Sequence, residues 1–103
     1  MNIVYMHSHD TGRCIEPYGY PVRTPRLAAF AERAVVFRNA FCAAPTCSPS
    51  RAALLTGATP HVNGMLGLTH RGFALSDYSQ HIASTLKKAG YHTALSGVQH
   101  VAS

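Results

Sequence analysis

The sequence has no tryptophan, only four acidic residues and only 13% charged residues in all, which excludes a charged coiled coil and a highly charged disordered tail. No apolar run approaches the roughly 20 residues that span a bilayer, so an integral membrane protein is not expected. Met1-Asn2-Ile3-Val4-Tyr5 leaves no room for the basic, apolar and cleavage regions of an export signal, and as written the chain is expected in the cytoplasm. Cysteine is scarce and odd in number. Cys14, Cys42 and Cys47 show no framework spacing, so a disulfide scaffold is not expected. Either all three are buried apolar thiols, or one of them does chemistry.

What is there is a chain of 103 residues, 47% of them hydrophobic, enough for one small domain or a piece of a larger one. Nine Lys and Arg against four Asp and Glu give a formal charge of +5. The basic residues are spread along the chain and only Lys87 and Lys88 are adjacent, whereas a phosphate-binding stripe needs several on one face. Nucleic acid is therefore not an expected partner. The charge suits the steering of an anion, or balance by acidic residues elsewhere in a larger molecule.

The pattern alternates strand and helix. Asn2 to His7 is apolar and partly β-branched and reads as a buried strand. Thr24-Pro25 is a helix start, a capping hydroxyl followed by proline at the first helical position, and Leu27, Phe30, Ala31 and Ala34 recur at helical spacing. Val35 to Phe41 reads as a second strand, Pro49 to Leu55 as a short helix stopped by Gly57, and 58–77, with three glycines, as a long surface or site-lining loop. Ile82, Leu86 and Ala89 share a helix face, with Lys87 and Lys88 at the negative end of the dipole and Gly90 as the stop. His92 to Ser96 reads as a third strand. This order predicts an α/β layer architecture, at least partly parallel, with residues 1–103 as one segment and no second domain.

The chemistry concentrates in Cys47-Ser48-Pro49-Ser50-Arg51. With Pro49 at a helix start, Cys47 lies just before the helix N-terminus, where the dipole and free N–H groups favour an anion. Arg51 follows one turn later and can reach the same point. A thiol so placed is reactive, and the same place suits a tetrahedral oxyanion held by bidentate arginine bonds. The pattern equally fits a turn cysteine ahead of a capped helix whose arginine is solvated.

Cys47, Pro49, Ser50 and Arg51, followed by Leu55-Thr56-Gly57, form a C-x-P-S-R…L-T-G pattern that resembles the signature of the type I sulfatases, in the alkaline-phosphatase-like superfamily. Asn2-Ile3-Val4 with Asp10 resembles that family's opening strand and its metal-binding end. Thr24-Pro25-Arg26-Leu27, Phe37 to Phe41, His61 to Met65 and Gly90 to Ala94 resemble further family segments. Residues 47–68 resemble most the sulfamidase-like branch (N-sulfoglucosamine sulfohydrolases). The resemblance covers essentially the whole chain but only the N-terminal part of a normally several-fold longer protein. It implies an incomplete part of a mixed or parallel sheet with covering helices.

The resemblance also implies a mechanism. The motif cysteine is oxidised to formylglycine by a formylglycine-generating enzyme, and the aldehyde hydrates to a diol. One hydroxyl attacks sulfur and the other drives the release of sulfate. Cys47 would then be nucleophile precursor and metal ligand, Arg51 would hold the hydrated aldehyde, and His100, in Gly97-Val98-Gln99-His100, would contact the sulfate or the nucleophile. Val98 stands where the family has a lysine. Asp10 would be one carboxylate of a divalent-cation site, with calcium the expected ion. His9 replaces the usual second aspartate and is a further candidate ligand, although imidazole suits calcium poorly. His7 and His9 also share a strand face, a pattern met in zinc-dependent amidohydrolase barrels, which the rest of the chain does not support. His61, Asn63, His70 and Arg71 are candidates for lining a substrate pocket.

The expected substrate is a sulfated small molecule or glycan, as sulfate ester or sulfamate. The alternative is a truncated, non-catalytic remnant that only binds an anion, a metal or a partner. A phosphate-ester hydrolase of the same superfamily is a third reading. If these residues were the whole chain, they would lack the family's later ligands and be inactive alone.

Overall fold

A computed structural model describes residues 1–102, in two compact units, Met1–Ala40 and Phe41–Ser103. Their regular structure is helical. Helix α1 (Pro25–Ala31) lies in the first unit, and α2 (Cys47–Thr56), α3 (Pro60–Asn63) and α4 (Ile82–Lys88) lie in the second. Short 3-10 turns occur at Glu16–Tyr18, Thr69–Arg71 and Tyr78–Gln80. Among the described residues no helix is long and apolar enough to cross a membrane.

The first unit is tied by polar contacts and has no buried residue among residues 1–40. Thr24 does not cap α1 with its hydroxyl as the Thr-Pro signal predicts. Its Oγ1 instead accepts the Glu16 N–H at 3.0 Å, while the Thr24 N–H donates to Glu16 Oε2 at 3.0 Å. This reciprocal pair joins the 3-10 turn at Glu16–Tyr18 to the start of α1. The Tyr18 hydroxyl donates to the Phe37 carbonyl at 3.0 Å, and the Arg13 guanidinium lies 5.9 Å from the centre of the Tyr18 ring. Leu27 and Phe30, the apolar stripe of α1, remain exposed.

The second unit has a core. Ala52 on α2 packs with Met65, Leu75 and Val101, with Leu55 partly buried against them. Residues 58–77, expected as a loop, supply two of these four core residues together with α3 and a 3-10 turn. Thr59-Pro60 opens α3 with proline in the first turn, and Gly64 closes it at φ 84°. A Cβ on Gly64 would run into Ser76 Oγ, so glycine is needed both for the left-handed turn and for the close approach of residue 76. Asn63 fastens the fold-back, with its carbonyl accepting the Ser76 N–H at 2.8 Å. Helix α4 ends as its sequence predicts, with Gly90 at φ 85° and the Tyr91 N–H reaching back to the Leu86 carbonyl. Its cap is an imidazole: His81 Nδ1 accepts the Ala83 N–H at 3.0 Å.

The three expected strands, 2–7, 35–41 and 92–96, do not form among the described residues. Val4, Met6, Val35, Phe37 and Leu95 are all exposed. A buried parallel strand takes its hydrogen bonds from strands beside it and its burial from layers on both faces. Residues 1–102 contribute neither, so the apolar pattern is present without the sheet.

Candidate functional site

Helix α2 begins two residues earlier than its proline suggests. Thr46 is extended, at φ −115° and ψ 156°, and its carbonyl accepts the Ser50 N–H at 3.0 Å. Cys47 is therefore the first helical residue and Pro49 falls within the first turn, where a backbone N–H has no intrahelical acceptor and none is missed. Gly57, at φ 69°, ends the helix. Cys47 sits half-buried at the positive end of the dipole, while Ser48 and Pro49 beside it are buried.

The chain returns to this point at residues 97–102. A His100 ring nitrogen lies within 4.8 Å of Cys47 Sγ, which brings the thiol and the imidazole together. Arg51 does not point freely at the thiol: its Nη1 donates to the Val98 carbonyl at 2.7 Å, a short charge-assisted bond. Gln99 folds onto its own turn, with Oε1 accepting the N–H groups of Val101 (2.6 Å) and Ala102 (2.8 Å) and Nε2 donating to the Ala102 carbonyl (2.7 Å). The Tyr78 hydroxyl donates to the Val101 carbonyl at 3.0 Å. His100 itself adopts φ 52°, a left-handed conformation that costs a non-glycine residue on the order of 1–3 kcal/mol and persists only where its surroundings enforce it.

Ser48, Thr69, His70, His100 and Ala102 line an open cleft of about 210 Å³. The Thr69 N–H donates to Ser48 Oγ at 3.2 Å, the two hydroxyls are 3.3 Å apart, and Thr69 Oγ1 donates to the His100 carbonyl at 3.0 Å. Of the four residues expected near a substrate, His70 is thus at the cleft. His61 and Arg71 are exposed elsewhere on α3 and on the 3-10 turn. Asn63 is buried, and its amide is occupied within the fold. Nδ2 donates to Thr56 Oγ1 and the Ala58 carbonyl, and Oδ1 accepts the Met65 N–H at 2.9 Å.

Asp10, in the first unit, is also left-handed, at φ 51°. Its Oδ2 lies 3.1 Å from His9 Nδ1, and both side chains are solvent-accessible, at 44% for His9 and 81% for Asp10. By donor chemistry Asp10 suits a hard cation and His9 does not. Calcium takes about six to eight oxygen ligands, of which this stretch offers a single carboxylate group. These side chains alone do not make up a calcium shell.

Sequence reasoning missed Ser48, Thr69 and Gln99. Two stand at variable positions of the motifs and the third lies in a segment read as loop, so only their spatial contacts reveal them.

The family model described as Sulfatase matches residues 2–102. Over 82 residues the chain is 44% identical to human N-sulphoglucosamine sulphohydrolase, covering 78% of this chain and 16% of that protein. It is 35% identical over 100 residues to an arylsulfatase of Clostridium perfringens, covering 96% of this chain and 20% of the other. It is 40% identical over 95 residues to human N-acetylgalactosamine-6-sulfatase, covering 82% and 18%. The chain thus spans about a sixth to a fifth of the length of these curated relatives. No solved structure matches it.

Proposed function

The chain belongs to the sulfatase family, and from that premise we propose that it carries the nucleophile end of a sulfatase acting on a sulfated carbohydrate. The observation that carries this reading is the meeting of Cys47, at the first position of α2, with the ring of His100 within 4.8 Å. Oxidised to the aldehyde by a formylglycine-generating enzyme and hydrated, residue 47 would supply one hydroxyl to attack sulfur and a second to expel sulfate.

The chain's own residues do the rest. The N-terminal turn of α2 faces the incoming anion with its dipole. Arg51, fixed by the Val98 carbonyl, keeps a positive charge one turn from residue 47. His100 presents an imidazole where a proton must be held or moved. Asp10 would contribute a hard oxygen to a divalent cation, with calcium the ion it suits. The names of the relatives favour an amino-sugar sulfate, as sulfamate or ester. An α/β fold of the alkaline-phosphatase type follows from the family, while the regular structure among the described residues is helical.

A second reading, anion binding without turnover, is favoured by Val98, which removes one cation expected to face sulfate. The two are separated by measuring sulfate release from N-sulfoglucosamine and from a 6-sulfated amino sugar. The longest form of the protein that contains residues 1–103 and expresses is co-expressed with a formylglycine-generating enzyme and compared with its Cys47→Ala variant. Release by the parent and not by the variant is expected. A parent that bears the aldehyde, binds sulfate and releases none would replace catalysis with binding.

A further inference from the structure

We propose that Thr69 is a positioning residue that holds His100 beside Cys47; the proposal rests on the reading of Cys47 as nucleophile precursor. Thr69 works in two directions. Toward α2, its N–H donates to Ser48 Oγ at 3.2 Å, and its hydroxyl stands 3.3 Å from the same oxygen. Ser48 is 2% exposed and is joined directly to Cys47, so this anchor is fixed by burial. Toward the histidine, Thr69 Oγ1 donates to the His100 carbonyl at 3.0 Å.

A carbonyl held in direction fixes the peptide plane that follows it. His100 is the residue that needs such fixing, because φ 52° is not a conformation it adopts unaided. Arg51 holds the chain at Val98, and Gln99 and Tyr78 hold it at Val101 and Ala102. Thr69 links the His100 backbone itself to the start of α2. Its β-branched side chain has restricted χ1 freedom, so the hydroxyl direction is set once the backbone N–H is bound. The 3-10 turn Thr69–Arg71, closed by Gly72 at φ 87°, carries that backbone.

The test is NMR on the full unmodified chain and on Thr69→Val and Thr69→Ser. A nuclear Overhauser contact between the His100 ring protons and the Cys47 β-protons is expected in the parent and in Thr69→Ser. In Thr69→Val it is expected to be lost, while the Ala52 and Leu75 methyl shifts stay in place. Persistence of the contact in Thr69→Val, or its absence from the parent, overturns the proposal. If Thr69→Val displaces the Ala52 and Leu75 methyls as well, Ser48→Ala decides: the contact should weaken with the core intact, and an undiminished contact overturns the proposal equally.

In the aldehyde-bearing protein, Thr69→Val should lower kcat on the order of tenfold to a hundredfold, the effect of misplacing a reacting group by about 1 Å. KM should change by less than about twofold, since ground-state binding is untouched. Thr69→Ser should recover most of the rate. A parent with the expected contacts and no sulfate release fails the sulfatase reading alone. Sulfate release with contacts that ignore Thr69 fails the positioning role alone.

Discussion

Residues 1–40 are no less apolar than residues 41–102, yet the first unit buries no residue and the second encloses Ala52, Met65, Leu75 and Val101. The difference is closure. In the second unit Asn63 and Gly64 turn the chain back so that Leu75 reaches α2, and Tyr78 and Gln99 bring Val101 to the same place. In the first unit the apolar residues lie along segments patterned for a sheet, which has no pairing strand among the described residues. Apolar content supplies material for a core; a core forms where polar contacts fold the chain over it.

The contrast is sharpest at single core side chains. Met65→Ala should cost about 2–5 kcal/mol in urea denaturation, as large-to-small changes in closed cores do. Leu27→Ala, on the exposed stripe of α1, should fall within about 0.5 kcal/mol of the parent. Equal costs would break the comparison.

Asn63→Ala should come next, at about 1–3 kcal/mol, because it leaves the buried Met65 N–H without its acceptor. Thr24→Ala should cost about 0.5–1 kcal/mol, the scale of an exposed hydrogen bond, read as faster exchange of the Ala28 amide in the first turn of α1.

The smallest effect is a pH response in the second unit. The Ser79 hydroxyl, and then the Ser79 backbone N–H, hold the Asp77 carboxyl below its ordinary 3.8. Its contribution is complete above 3.8 and is lost as pH falls below that value through the lowered one. The Ser79 amide should therefore lose exchange protection only below pH 3.8, and loss beginning near neutral pH would contradict the assignment.

The sequence carried the local chemistry well. Cys47 to Arg51 and the Gly57 stop are consecutive, so their helix could be read in place, off by two residues at its start. Thr59-Pro60 repeats the Thr24-Pro25 signal but is followed by a run rich in glycine, of which Gly64 and Gly72 close helical turns rather than mark a loop. Thr24 looked like a cap because nothing local shows that Glu16, eight residues earlier, takes its hydroxyl. The strands failed for a related reason. An apolar segment states that it can pair but not what with, and these residues span a sixth to a fifth of the relatives' length. Thr69 and Gln99 act through contacts that no spacing rule encodes.

The central claim is that Cys47 is a sulfatase nucleophile in precursor form. It is tested most directly by the mass of tryptic peptide 39–51 after co-expression with a formylglycine-generating enzyme. Cys42 in the same peptide serves as the internal control thiol. The account predicts loss of one sulfur and two hydrogens and gain of one oxygen at Cys47, with Cys42 still alkylated as a thiol. An intact thiol at Cys47, with the same enzyme converting a control peptide, would contradict it.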